Sequence, residues 1–142
     1  MRKLDEILIS ARDAEALSLM LGDWPRRHRL EEEAADALVD PLVGARVVAT
    51  NQLPVDVVTM GSTVTYVDIP DGARQTVTVV FPAQADAGAG RVSVLSPIGR
   101  ALLGRPLGSV IDIVLPTGRH LAVRIVDLMR GSVKDEEALA LA

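Results

Sequence analysis

Apolar and polar positions along this chain follow two different periods, and the change falls near residue 57. Upstream, apolar residues recur at three- and four-residue intervals, the spacing of one helix face. Ala14, Leu17 and Leu21 form one such set; Leu30, Ala34, Ala37, Leu38, Leu42 and Ala45 form a second. Downstream the period is two. Leu121, Val123 and Ile125 alternate with His120, Ala122 and Arg124, as a half-buried strand requires. The pattern predicts two helices followed by a β-rich module.

Punctuation residues set the expected boundaries. A short extended segment covers residues 4–9, and Ser10 followed by Asp13 resembles a capping box with Asp in place of Glu. That predicts a helix over 11–21, ended by Gly22, then a turn over 22–29. The second helix meets Pro41, whose ring collides with the carbonyl four residues back. Asp40-Pro41 equally suits the start of a new helical segment reaching about residue 49. Residues 51–54 form a linker. Strands are expected at 62–69, 75–81, 91–95, 110–115 and 119–128, separated by turns rich in Pro, Asp and Gly. Pro116-Thr117-Gly118 predicts a hairpin joining the last two. Between the third and fourth lies a short helix: Ser96 caps it, Pro97 takes the first position where no N–H is needed, and Gly104 supplies the left-handed residue that ends it. The expected class is α+β: a helical-hairpin arm (1–53), a small antiparallel β domain with one short helix (54–130) and an acidic, alanine- and leucine-rich tail (131–142).

Composition narrows the function. The 142 residues are 49% hydrophobic, which suffices for a core, and almost wholly aliphatic, with one Trp, one Tyr and one Phe. The absence of cysteine excludes disulfides, thiolate metal sites and cysteine nucleophiles. Charge appears too early at the amino terminus for a secretory signal, and no apolar run approaches the ~18 residues of a membrane span, so a cytoplasmic location is expected. Net charge is −4; residues 1–54 carry seven basic against ten acidic groups, and the remainder eight against nine. Neither part has the basic excess that neutralises a duplex, so a protein partner fits better than sequence-specific DNA contact.

One stretch is distinctive. Ser96-Pro97-Ile98-Gly99-Arg100-Ala101-Leu102-Leu103-Gly104, continuing through Leu107-Gly108 and Ile111 to Leu115 and Gly118, closely resembles a run in the carboxy-terminal domain of the GreA/GreB transcript-cleavage factors. The preceding segment from Pro54 to Val67 looks still closer to Rnk, a small relative named as a regulator of nucleoside diphosphate kinase. The resemblance covers roughly residues 54–129. It implies an FKBP-like β domain that docks on bacterial RNA polymerase, with Ser96, Pro97, Ile98 and Leu102 as candidate contacts. Ile98, Leu102 and Leu103 share one short helix and cannot all face inward, so one of them is expected to offer an exposed apolar anchor.

The resemblance also raises the question of catalysis, because the family's hairpin tip carries acids that help hold a catalytic magnesium ion. Here the expected tip holds Asp23, Trp24, Arg26 and Arg27, with His28 and Arg29 following. One carboxylate among guanidinium groups is a poor magnesium site. An 11-residue arm rises only about 17 Å. Glu31, Glu32 and Glu33 point about 100° apart on a helix and do not converge; their natural role is to favour its positive end. His28 and His120 lack spaced metal-ligand partners. Ser96 sits at a strand-to-helix turn but without the G-x-S-x-G frame of a nucleophile elbow. No cofactor is called for. The leading expectation is a non-enzymatic, polymerase-binding regulator of elongation that competes with Gre factors. The alternatives are a transcript-cleavage factor and, from the implied topology, a peptidyl-prolyl isomerase, for which Tyr66 and Phe81 are too few aromatics to build a pocket. Whether the chain is a monomer or a dimer paired through the apolar hairpin face stays open.

Overall fold

A computed structural model describes residues 7–27, 45–115 and 117–130, with only the backbone described over 21–27. The expected helix from residue 30 up to residue 44, Pro41, the glutamates at 31–33, His28 and the tail at 131–142 lie outside those residues.

The chain enters through β1 (Leu8–Ser10) and turns directly into α1 (Ala11–Arg27). Ser10 caps this helix: its Oγ accepts the Asp13 N–H at 3.1 Å. The Asp13 carboxylate leaves the helix and accepts the Met60 N–H at 3.1 Å, pinning the first turn of α1 to the β module. Leu17 is fully buried in the main core, with Ala14 and Met20 packed against it.

Gly22 does not end α1, which runs on through Pro25 to Arg27. Glycine costs a helix only about 1 kcal/mol relative to alanine, and it stops one only when the chain turns left-handed there. A second departure follows. Residues 46–48, expected at the end of a helix, form strand β2 (Arg46–Val48), paired in parallel with β1 so that Ile9 faces Val47. The β-branched pair Val47-Val48 suits that conformation better than a helical one. A single 3₁₀ turn, Thr50–Gln52, completes the connection.

The remaining strands are β3 (Thr63–Asp68), β4 (Arg74–Val80), β5 (Arg91–Ser93), β6 (Val110–Val114) and β7 (His120–Met129). They form one sheet in the order β5-β4-β3-β7-β6. The sheet is mixed rather than purely antiparallel, because β4 and β5 pair in parallel. Two 3₁₀ turns, Pro82–Gln84 and Ala87–Ala89, supply the crossover such pairing needs. A bulge at Thr65/Tyr66 leaves Val126 unpaired and re-phases the end of β7.

From β5, at one edge, the chain crosses the core face through α2 (Pro97–Leu102) to β6 at the other edge. Alternation fixes which face is covered: Val64, Tyr66, Val79, Ile111, Ile113, Val123 and Ile125 point inward, beneath Leu95, Leu102 and Leu103. A smaller cluster of Leu8, Leu53 and Val57 packs where β1 meets the segment leading into β3.

Candidate docking surface

The residues singled out in the sequence converge on α2. Ser96 is its N-cap, and its hydroxyl is fully engaged: it accepts the Gly99 N–H at 3.1 Å and donates to the Ser93 carbonyl at 2.6 Å. That hydroxyl holds the helix and is not set up as a nucleophile. Pro97 follows at the first position, and both Pro97 and Ile98 are half-buried. Leu102 has no exposed surface, and Leu103 is 3% exposed. Leu102 is therefore a core residue; of Ile98, Leu102 and Leu103, Ile98 alone keeps partial exposure, and it too packs against the core. The six-residue helix turns so that Gly99, Leu102 and Leu103 all find cover: the first two are buried within it and Leu103 lies just beyond its last turn.

Gly99, which the sequence pattern left unremarked, makes that packing feasible. A Cβ there would overlap the Ser93 carbonyl oxygen, so α2 lies directly on the end of β5. A glycine inside a predicted helix with no turn to serve is the signal for such a close approach. Gly104 adopts the expected positive φ of 80°, and its N–H donates to the Val58 carbonyl rather than back into α2. Its own carbonyl accepts the Leu8 N–H at 3.0 Å, and a Cβ would press on Ile7. The end of α2 and the start of β1 are thus one joint.

Beside α2 runs an open groove lined by Pro97, Arg100, Ala101, Arg105 and the edge strand β6. The Arg100 guanidinium donates to the Leu95 carbonyl at 2.8 Å, and partial burial draws its pKa below that of a free arginine. On the opposite sheet face His120 Nδ1 and Asp112 Oδ2 lie 2.9 Å apart, both well exposed. Tyr66 and Phe81 belong to the core, Tyr66 buried and Phe81 packed against it, so they line no substrate pocket. Burial, reinforced by the Asp68 charge, raises the Tyr66 pKa.

Asp23, Trp24, Arg26 and Arg27, expected in a hairpin turn, occupy the last turns of α1. The helix therefore rises about 26 Å instead of 17 Å. Burial is also the main influence on Asp13, raising its pKa against the opposing effects of the Met60 N–H, Arg12, Arg130 and Ser10. Among the described residues no group of three or more His, Asp or Glu is placed to hold a metal ion, and no helix is long and apolar enough to cross a membrane.

Known proteins resemble this chain in sequence and fold. A family model described as "Transcription elongation factor, GreA/GreB, C-term" matches residues 53–130. The chain is 38% identical over 89 residues to a protein named transcription elongation factor GreA from Azorhizobium caulinodans, covering 63% of this chain and 57% of that one. It is 34% identical over 122 residues to a protein named regulator of nucleoside diphosphate kinase from Escherichia coli, covering 86% of this chain and 88% of that one. A solved structure titled prokaryotic transcription elongation factor GreA/GreB from Nitrosomonas europaea matches with a TM-score of 0.66 and 35% identity, over 87% of this chain and 98% of the other. Matches to the GreA relatives span about half their length, 44–57%.

Proposed function

Because this chain belongs to the GreA/GreB transcription elongation factor family, we propose that it is a cytoplasmic regulator that binds bacterial RNA polymerase without stimulating transcript cleavage. The β module, residues 54–130, is FKBP-like in this reading and docks at the rim of the secondary channel, with Pro97 and Ile98 of α2 and the adjoining strands as its contact face. The arm, residues 1–53, stands at the channel entrance, and competition with Gre factors for one surface is the route to control of elongation.

The observation that carries this reading is the pattern of coverage. Similarity to the regulator of nucleoside diphosphate kinase extends over 86% of the chain and 88% of the relative, whereas the sequence matches to proteins named transcription elongation factor GreA take in only about half of each relative; the structure titled GreA/GreB from Nitrosomonas europaea shares the full-length match, at 98% of its chain. The cleavage-factor alternative draws on the length of α1, which reaches Arg27.

Co-purification with core RNA polymerase tests the docking face. The parent chain is expected to co-elute and Ile98→Asp, checked for folding by circular dichroism, to do so at least tenfold more weakly. Absence of parent binding, or a folded Ile98→Asp that binds as the parent does, overturns the proposal.

A further inference from the structure

The outer edge of strand β6, beside α2, offers a further binding surface. Its register fixes which backbone groups are free. Ser109 accepts the Ile125 N–H at 3.0 Å and the Leu115 N–H donates to the Arg119 carbonyl at 2.8 Å, so the odd-numbered residues 109–115 bond to β7. In an antiparallel pair the intervening residues turn their N–H and C=O groups the other way. Those of Val110, Asp112 and Val114 therefore point off the sheet, where no described strand pairs with them. An unpaired edge of this kind is a template for strand addition.

The side chains along the edge define what it accepts. Val110 and Val114 are 56% and 52% exposed, with Asp112 exposed between them on the same face. His120 Nδ1, 2.9 Å from Asp112 Oδ2, holds the carboxylate on that face. A second copy of this chain is a poor occupant. Antiparallel pairing of two β6 edges that sets Val110 against Val114 also sets Asp112 against Asp112, and like charges directly opposite are destabilising. A strand carrying a basic residue opposite Asp112, with an apolar residue two places to either side, satisfies all three positions. Its alternate residues lie over the groove walled by Pro97, Ala101, Arg100 and Arg105, which suits small side chains.

We propose that the outer edge of β6 is a strand-addition site for an extended segment of a partner protein that presents a basic residue between two apolar ones, Asp112 being the residue that selects it. The inference stands independently of whether α2 docks on polymerase.

The test is an NMR titration of the ¹⁵N-labelled full chain with the peptide Thr-Val-Thr-Lys-Thr-Val-Thr. The amide signals of Val110, Asp112 and Val114 are expected to shift most. A peptide with Glu in place of Lys is expected to bind at least tenfold more weakly, and Asp112→Lys to reverse that preference. N-methylation of one alternating set of peptide residues is expected to abolish binding while methylation of the other set leaves it. No shift at millimolar peptide, shifts centred elsewhere, equal binding of the Lys and Glu peptides, an unreversed preference in Asp112→Lys, or equal effects of the two methylation patterns would each overturn the proposal.

Discussion

Replacing Gly99 with alanine should destabilise this protein, although a glycine-to-alanine change inside a helix ordinarily stabilises it. The expected helical gain is about 1 kcal/mol. Against it stands the geometry: the new Cβ would overlap the Ser93 carbonyl oxygen, lie 2.8 Å from the Ser93 carbonyl carbon and 3.0 Å from Val94 Cα. All three are backbone atoms of the β5 end, so no side chain can swing aside. Overpacking of this kind costs about 1–3 kcal/mol, and backbone obstruction puts Gly99 at the upper end. Lifting α2 also stretches the bond from the Gly99 N–H to Ser96 Oγ, a cap worth about 1 kcal/mol. The balance is a net loss of about 2–3 kcal/mol, or a melting temperature on the order of 5–10 °C lower. Urea denaturation followed by circular dichroism reads the difference directly. A Gly99→Ala variant as stable as the parent, or more so, would refute the claim that α2 rests on the β5 backbone.

Other substitutions probe the same joint and its neighbours. Ser96→Ala removes a hydroxyl that serves both the Gly99 N–H and the Ser93 carbonyl, and should cost about 1–2 kcal/mol in urea denaturation. Leu102→Ala empties a fully buried site and should cost about 2–5 kcal/mol. Asp13→Ala leaves the Met60 N–H without its acceptor, a loss of about 1–3 kcal/mol at acidic pH that shrinks as pH rises, read by the same assay. The raised pKa of Asp13 means the folded state holds its proton to higher pH than the unfolded chain does. This group's contribution is therefore fullest below the ordinary carboxylate value near ~4 and falls as pH rises through the raised value. Asp13→Asn keeps an acceptor for Met60 and should flatten that decline; an unchanged pH profile of stability would show that Asp13 is not its source.

The β module was legible because its signals are local. Alternation places Val64, Tyr66, Val123 and Ile125 on one face, and turn residues bound each strand within a residue or two of where it is found. The Ser96 cap and the positive φ of Gly104 follow from the same chemistry. What escaped prediction depends on long-range partners. Arg46–Val48 becomes a strand because Leu8–Ser10 offers it an edge, and the parallel pairing of β4 with β5 is set by the crossover between them. Leu102 is buried because α2 packs onto the core face of the sheet, a tertiary placement that no local pattern encodes. Gly22 failed as a stop signal because a cost of about 1 kcal/mol does not outweigh continued helix propagation. At the candidate docking surface, Ser96, Pro97 and Ile98 were visible as a motif, but the packing role of Gly99 and the free edge of β6 emerge only once the strands are paired.

The central claim, a family member that occupies the polymerase without delivering cleavage, meets its most direct test in stalled elongation complexes. Transcript cleavage would be measured with this protein alone, with GreA alone and with both together. The account predicts no cleavage above the intrinsic rate from the protein alone and a dose-dependent fall in GreA-stimulated cleavage when both are present. Stimulated cleavage by the protein alone would contradict it.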